Sequence, residues 1–261
     1  MAAPKPKTED CAAILIASSC ATSHEDVVAR KNIDKSNPKG NLRGTKMDVS
    51  NMYNKFIDTG VIKIVKTFDS IDEDEKQATS KSDVLNTINK MFQDTDRKSF
   101  IIYYSGHGRS PSKQYNRKGG DWVFEGTDNN GNKTAEFLGL NEIVFLWNNR
   151  KKTKTEQNLI IIADCCHSGA WVSSLEEMKA KDIYMQAACG DDEESQDGKY
   201  GGVFTLKYLN SCLYSQCVQN ISTACELFRA IGGLVLVSTF MIKDVVIKGL
   251  YNKATKEFQP R

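Results

Sequence analysis

Two stretches of the chain each join an apolar run to side chains that can do nucleophilic chemistry. Residues 159–163 read Leu-Ile-Ile-Ile-Ala and lead directly into Asp-Cys-Cys-His at 164–167. Residues 100–104 read Phe-Ile-Ile-Tyr-Tyr, and His107 follows them closely. A cysteine thiolate paired with a histidine base is an activated nucleophile when the two side chains meet. Cys166 and His107 are therefore the predicted nucleophile and base.

Both apolar runs predict strands that are buried on both faces, because a short continuous apolar run bounded by turn residues is typical of a parallel sheet. The carboxyl ends of parallel strands meet at one edge, where open α/β sheets place their chemistry. Other apolar segments along the chain alternate with helical patterns. We expect an α/β fold in which a mostly parallel six-stranded central sheet has helices on both faces. The predicted strands lie at 11–18, 61–68, 100–104, 159–163, 183–189 and 234–239.

The composition excludes several classes of function. The net charge is only +2, which gives no bulk attraction to nucleic acid or to an anionic membrane. The longest apolar run, 230–242, has 13 residues and is too short to cross a bilayer. Residues 1–10 are expected to form a flexible tail, and they lack the apolar core of a secretory signal. We therefore expect no nucleic-acid or membrane partner, a cytoplasmic location and mostly reduced cysteines.

Two adjacent cysteines compete for the role of nucleophile. Side chains alternate along an extended chain, so Cys165 should face away from both Asp164 and Cys166. A helix that starts near Ala170 would lower the pKa of a thiol at its amino-terminal end. The alternative is that Cys166 is a small buried hydrophobic residue, as most cysteines are. Its position in a polar turn after the strand favours the catalytic interpretation.

His107 has a glycine on each side, and glycine permits a close approach of the backbone. The amides of Gly108 and Cys166 could both donate to the oxyanion of a tetrahedral intermediate, which is the largest electrostatic contribution expected in acyl transfer. The alternative is a hydrogen-bonded structural histidine. His107 and Cys166 are the predicted catalytic residues, and Gly108 and Cys166 the predicted oxyanion hole.

Two longer motifs carry a resemblance to a known family. Tyr-Ser-Gly-His-Gly at 104–108 and Asp-Cys-Cys-His-Ser-Gly at 164–169 together resemble the catalytic motifs of the caspase, metacaspase and paracaspase group of cysteine peptidases. Cys166 follows His107 by 59 residues (166 minus 107), against roughly 50 in caspases. The D-x-C-H-S-G pattern is closer to the metacaspase and paracaspase side. Segments 42–48, 201–205 and 236–244 show weaker similarity to the same family of peptidases.

The resemblance implies a single caspase-like peptidase domain over residues 11–261. Its large-subunit-like part would extend over about 11–180 and its small-subunit-like part over about 181–261. It also implies a cysteine endopeptidase that acts on a protein or peptide substrate. The oligomeric state is left open. The alternative from another class is a catalytically inactive caspase-fold interaction or regulatory module.

Acidic residues near the two motifs predict which peptide bond is cut. Caspases carry glutamine two residues before the nucleophile, whereas this chain has Asp164 there. By the resemblance, Asp48 would be a second carboxylate of the substrate pocket, and Ser105 would form a polar part of the pocket wall. Asp191 and Asp192 lie in the loop where caspases carry an arginine that binds substrate. Two carboxylates call for arginine or lysine at the cleavage position. The alternatives are that Asp164 caps the next turn and that the acidic loop is only solvated.

Calcium is where the chain departs from the family pattern. Many metacaspases use aspartates after the histidine motif, but residues 136–141 read Glu-Phe-Leu-Gly-Leu-Asn here. A hard cation needs six to eight oxygen ligands, and Asp121, Glu125 and Asp128 alone are too few. We therefore expect no cofactor and no metal site, with calcium possible but not favoured. A zinc protein is disfavoured because the cysteines lack metal-ligand spacing.

Overall fold

Five parallel strands form the central sheet of the computed structural model. The described residues are 11–18, 42, 44–59, 62–68, 79–111, 119–131, 133–151, 157–180, 182–198, 200–209, 251–252 and 257–258. The predicted tail (1–10) and the predicted sixth strand (234–239) lie outside them. Within the described residues the sheet therefore has five strands instead of six.

The strands of this sheet are arranged in the order β2-β1-β3-β7-β8. They are β1 (Cys11–Ser18), β2 (Ile62–Phe68), β3 (Ser99–Gly106), β7 (Asn158–Asp164) and β8 (Ile183–Ala187). Every neighbouring pair is parallel. The register pairs Ser105 of β3 with Asp164 of β7. The two strands predicted to carry the chemistry are thus direct neighbours, and their polar carboxyl ends are level with each other.

Helices cover both faces of the sheet, as predicted. They are α1 (Thr45–Thr59), α2 (Lys81–Phe92), α3 (Leu140–Asn148), α4 (Gly169–Met178) and α5 (Val203–Leu209). Residues of α2, α3 and α4 share one apolar cluster, and residues of α1 and α5 share the other. The strands contribute to the two clusters alternately: Ile14 packs with the first and Leu15 with the second. This alternation explains why the central segments of β1, β3 and β7 are apolar at consecutive positions.

A small antiparallel sheet supports the loop that carries His107. It consists of β4 (Gly108–Arg109), β5 (Asp121–Thr127) and β6 (Lys133–Gly139), in the order β4-β5-β6. The His107 carbonyl accepts hydrogen bonds from the Val123 amide (3.1 Å) and from the Tyr104 hydroxyl (2.8 Å). The backbone of His107 is therefore held from two sides.

Three stacked aromatic rings join this small sheet to the rest of the domain. The Trp122 ring lies between Tyr104 of β3 and Trp171 of α4, with ring centroids 4.2 and 4.3 Å apart. All three side chains are buried, and aromatic stacking adds to the stabilisation from burial. The stack therefore links the strand before His107 to the helix after Cys166.

Two short hairpins complete the described structure. The first pairs β9 (Asp197–Gly198) with β10 (Gly201–Gly202), directly before α5. The second pairs β11 (Tyr251–Asn252) with β12 (Glu257–Phe258). In the described part of the chain, no helix has the length and apolar character needed to cross a membrane.

Candidate active site

A cavity of about 120 Å³ opens at the carboxyl edge of β3 and β7. Five residues that the sequence predicted for the site, from its two motifs and the first helix, all line it: Asp48, Ser105, His107, Asp164 and Cys166. The remaining lining residues are Leu42, Thr45, Gly106, Cys165, Glu194, Ser195, Gln196, Asp197 and Gly202. The register of β3 and β7, together with the first turn of α1, thus brings the predicted cysteine, histidine and acidic residues to one cavity.

Cys166 occupies the turn between β7 and α4, where it is partly exposed, whereas Cys165 is buried in the apolar core. The Cys166 Sγ donates to the Ser195 carbonyl oxygen at 3.8 Å. Burial raises the pKa of the Cys166 thiol, and the Ser195 hydrogen bond only partly offsets this. The sequence predicted a lowered pKa for this thiol, whereas the net shift is upward and burial is its largest cause. The two cysteines thus differ in burial as expected, although the strand ends at Asp164 and neither cysteine is in extended conformation.

Gly108 packs directly against the turn that carries Cys166, the predicted nucleophile. A Cβ atom at position 108 would collide with the Cys166 carbonyl oxygen and would lie 3.1 Å from the Cys165 Sγ. Only glycine allows this approach, since any other side chain would push the two segments apart. The two residues predicted to supply oxyanion-hole amides are therefore in backbone contact.

Asp48 lies on the first turn of α1 and is almost fully buried, with 1% of its surface exposed. The Ser105 hydroxyl donates to its Oδ2 at 2.8 Å, and the Gly202 amide donates to its Oδ1 at 2.8 Å. Burial, followed by the nearby charge of Asp164, raises the pKa of Asp48 to about 8. Asp48 is therefore mostly protonated near neutral pH in this state of the site.

Asp164 is buried beside Asp48 and has a hydrogen-bond network of its own. Its Oδ2 accepts from the Thr205 amide (3.0 Å) and hydroxyl (2.7 Å), and its Oδ1 accepts from the Ser195 hydroxyl (2.7 Å). Burial raises the pKa of Asp164, although these donors pull it down. Because the donors come from segments distant in sequence, the Asp164 side chain is directed into the cavity and does not cap the turn after β7.

The structure does not bring the other two predicted acidic residues into the cavity. Asp191 and Asp192 are exposed, and the Asp191 carboxylate accepts a hydrogen bond from Ser173 on α4 at 3.3 Å. From the same loop, Glu194 and Asp197 line the cavity instead. The acidic composition of the loop was the available signal, but it did not show which members turn inward.

Three further residues of the site were not singled out from the sequence: Ser195, Gly202 and Thr205. Gly202 is required because a Cβ there would collide with the Asp164 carboxylate. Thr205 is also bonded to Tyr103, with 2.6 Å between the two hydroxyl oxygens. The similarity noted at 201–205 is the signal that could have identified Gly202 and Thr205.

The residues that would hold calcium by analogy with the family do not fit that ion. Leu138 and Leu140 are core residues, and the Arg109 guanidinium donates twice to Asp121 Oδ2, at 3.0 and 2.5 Å. Glu142 pairs with Lys81 at 2.9 Å. Among the described residues, no group of three or more histidine, cysteine, aspartate or glutamate side chains is arranged to hold a metal.

Comparison with known proteins identifies the family to which the chain is similar. The family described as "Metacaspase, peptidase C14 domain" matches residues 33–175, which is more than half of the chain. No curated protein matches. Among solved structures, protein GSU0716 from Geobacter sulfurreducens is similar at 18% identity with a TM-score of 0.50, over 79% of this chain and 83% of that one. Caspase-1 from Spodoptera frugiperda is similar at 11% identity with a TM-score of 0.45, over 81% and 71%.

The bacterial structure shows that another protein has a similar fold. The family match indicates the chemistry of a cysteine peptidase. The matched range contains both motifs of the cavity, around His107 and Cys166. The chain therefore belongs to the metacaspase family and is, by its peptidase C14 domain, a caspase-like cysteine peptidase.

Proposed function

We propose that this chain is a cysteine endopeptidase that uses a Cys166–His107 dyad to cleave peptide bonds after arginine or lysine. The observation that carries the proposal is the cavity in which a thiol and an imidazole share walls with two buried carboxylates. In the described part of the chain, no lysine or arginine forms an ion pair with Asp48 or Asp164. A buried carboxylate without a cation is costly, and a basic substrate side chain would supply that cation.

The proposed reaction follows from the positions of these groups. His107 takes the proton from the Cys166 thiol, and the sulfur attacks the carbonyl carbon of the scissile bond. Amides of Gly108 and Cys166 stabilise the oxyanion that forms. The carbon–nitrogen bond then breaks, and the amine leaves with the proton from His107. Water, deprotonated by His107, finally hydrolyses the thioester and restores the thiol.

The basic specificity rests on charge and on hydrogen-bonding geometry. Arginine presents a planar fork that can bond two acceptors at once, and lysine presents a compact charge. Asp48 and Asp164 offer such acceptors at the bottom of the cavity, and Ser105 fixes the orientation of Asp48. Substrate aspartate would meet two buried acids, which disfavours it. We therefore expect a strong preference for basic residues over aspartate.

The first prediction tests the nucleophile and the specificity together. Fluorogenic peptides that differ only in arginine, lysine or aspartate at the cleavage position should be cut in the first two cases. Cys166→Ala should reduce kcat/KM by at least about a thousandfold, because no other group can form the acyl-enzyme. Cys165→Ala is the matched control and should retain activity. Absence of cleavage of all three peptides by a folded protein would favour the non-catalytic interaction module.

The second prediction concerns the buried carboxylates. Asp164→Asn should lower kcat/KM for an arginine peptide by roughly 30- to 1,000-fold, because losing one partner of a buried charge pair costs about 2 to 4 kcal/mol. Asp48→Asn should act in the same direction. Asp128→Asn, in a turn outside the cavity, controls for the loss of one negative charge. Equal effects of all three substitutions would contradict the assignment of the specificity pocket.

The third prediction follows from the pKa of about 8 for Asp48. A cationic side chain favours the ionised carboxylate, so binding below pH 8 must release the Asp48 proton. The affinity of an arginine peptide for the Cys166→Ala protein should therefore rise by up to about tenfold per pH unit below pH 8 and level off above it. Calorimetry at several pH values measures this. The Asp48→Asn variant should lose that slope, and an unchanged slope in this variant would contradict the assignment.

The fourth prediction concerns calcium. Because the residues at the family position do not fit this ion, enzyme treated with a chelator should cleave the arginine peptide at its full rate. Titration of calcium into that enzyme should change kcat/KM by less than about twofold, since the ion needs six to eight oxygen ligands. A rise from near zero activity would overturn the proposal of calcium independence and leave the dyad unaffected.

A further inference from the structure

Ser195 contacts the nucleophile and the specificity pocket at the same time. Its carbonyl oxygen accepts from the Cys166 Sγ at 3.8 Å, and its hydroxyl donates to Asp164 Oδ1 at 2.7 Å. In the proposed reaction these are the two groups that a substrate must reach, one with its scissile carbonyl and the other with its basic side chain. Ser195 therefore contacts both the thiol of Cys166 and the carboxylate of Asp164, where the substrate would bind.

The other donors to the buried carboxylates belong to the framework of the domain. Ser105 is on β3, Gly202 on β10 and Thr205 on α5, and together they satisfy both oxygens of Asp48 and one oxygen of Asp164. The remaining oxygen, Asp164 Oδ1, accepts from Ser195 on the irregular segment between β8 and β9. Ser195 is therefore the donor that can be exchanged without disturbing a strand or a helix.

Backbone contacts hold this segment over the cavity on each side of Ser195. The Glu193 carbonyl accepts from the His167 amide at 2.9 Å, and the Gln196 carbonyl accepts from the Val203 amide at 3.0 Å. Ser195 itself is partly buried, whereas the four acidic residues before it are exposed. Residues 194–197 of this segment line the cavity of about 120 Å³ and therefore form one of its walls.

We propose that Ser195 is a gate that occupies the substrate position in the resting enzyme and that the basic side chain of a substrate displaces it. This inference rests on the proposed function for the identity of the substrate. The closed arrangement of Ser195 on Cys166 and Asp164 can be tested without that function.

The exchange is favourable for a cation and unfavourable for a neutral side chain. Displacement of Ser195 takes a hydroxyl donor from a buried carboxylate, and a guanidinium or ammonium replaces it with a stronger, charge-assisted hydrogen bond. An uncharged side chain offers no such gain. The gate therefore adds to the discrimination that the two carboxylates provide.

Alkylation of the thiol tests the gate in the absence of any substrate. Iodoacetamide transfers its carboxamidomethyl group to the Cys166 sulfur as iodide and the thiol proton leave, and fragment-ion mass spectrometry of the peptide distinguishes this cysteine from the adjacent Cys165. Ser195→Ala should speed this reaction by about three- to tenfold, because the hydroxyl bond to a charged group that anchors the segment is lost. Ser195→Thr keeps the hydroxyl and should react like the unmodified enzyme.

Ser173→Ala is the matched control, because Ser173 also donates to a carboxylate of this segment, that of Asp191, but outside the cavity. It should leave the alkylation rate unchanged. Equal acceleration by Ser173→Ala and Ser195→Ala would mean general loosening of the segment and would overturn the gate. Unchanged or slower alkylation of Ser195→Ala would overturn it as well. Thermal unfolding of each variant confirms that the compared proteins are folded.

Peptide hydrolysis then separates a gate from a residue that positions the pocket. For a gate, Ser195→Ala should lower KM for the arginine peptide several-fold, leave kcat nearly unchanged and increase the relative cleavage of a glutamine peptide. A raised KM for the arginine peptide would show that Ser195 positions Asp164 for substrate, and the gate would be wrong. If no peptide is cleaved at all, the proposed function fails, and the alkylation rates still decide whether Ser195 covers the thiol.

Discussion

The arrangement of this site depends on two carboxylates that are buried next to each other. Burial disfavours the charged forms of both Asp48 and Asp164 and raises both pKa values; the charge of Asp164 further raises the pKa of Asp48, and the charge of Asp197 further raises that of Asp164. The fold tolerates the pair because every carboxylate oxygen has a donor, supplied by two backbone amides and three hydroxyls. These donors come from segments of β3, β10 and α5 and from the loop before β9. The site can therefore be assembled only when distant parts of the chain have folded together.

The parallel sheet sets the distances between the chemical groups. Because Ser105 and Asp164 are register partners, the ends of β3 and β7 are level, and the predicted catalytic residue of each strand lies two positions further on. The turn after β7 then presents Cys166, and the turn after β3 presents His107. The stack of Tyr104, Trp122 and Trp171 holds these two turns in one rigid unit. Gly108 lets the turns touch, since a Cβ there would collide with the Cys166 backbone.

Much of this could be predicted from the sequence because it follows from local periodicity. Apolar runs identified the strands, and the alternation of side chains separated Cys166 from Cys165. Loop residues have no such periodicity. The sequence therefore predicted Asp191 and Asp192 as substrate-binding residues, whereas the residues of this segment that line the cavity include Glu194, Ser195 and Asp197. The direction of the thiol pKa shift also required the structure, because it depends on how deeply Cys166 is buried.

The acidity of the pocket and the reactivity of the thiol are physically coupled. Burial raises the pKa of Cys166, and the charges of Cys189, Glu194 and Asp164 add to this increase. A substrate cation placed against Asp164 opposes those charges and favours the thiolate, since an opposite charge nearby stabilises an ion. In the proposed reaction, a basic substrate residue bound to Asp164 would thereby also favour the thiolate form of Cys166. A neutral or acidic side chain brings no such charge, so selectivity for basic residues would arise in the chemical step as well as in binding.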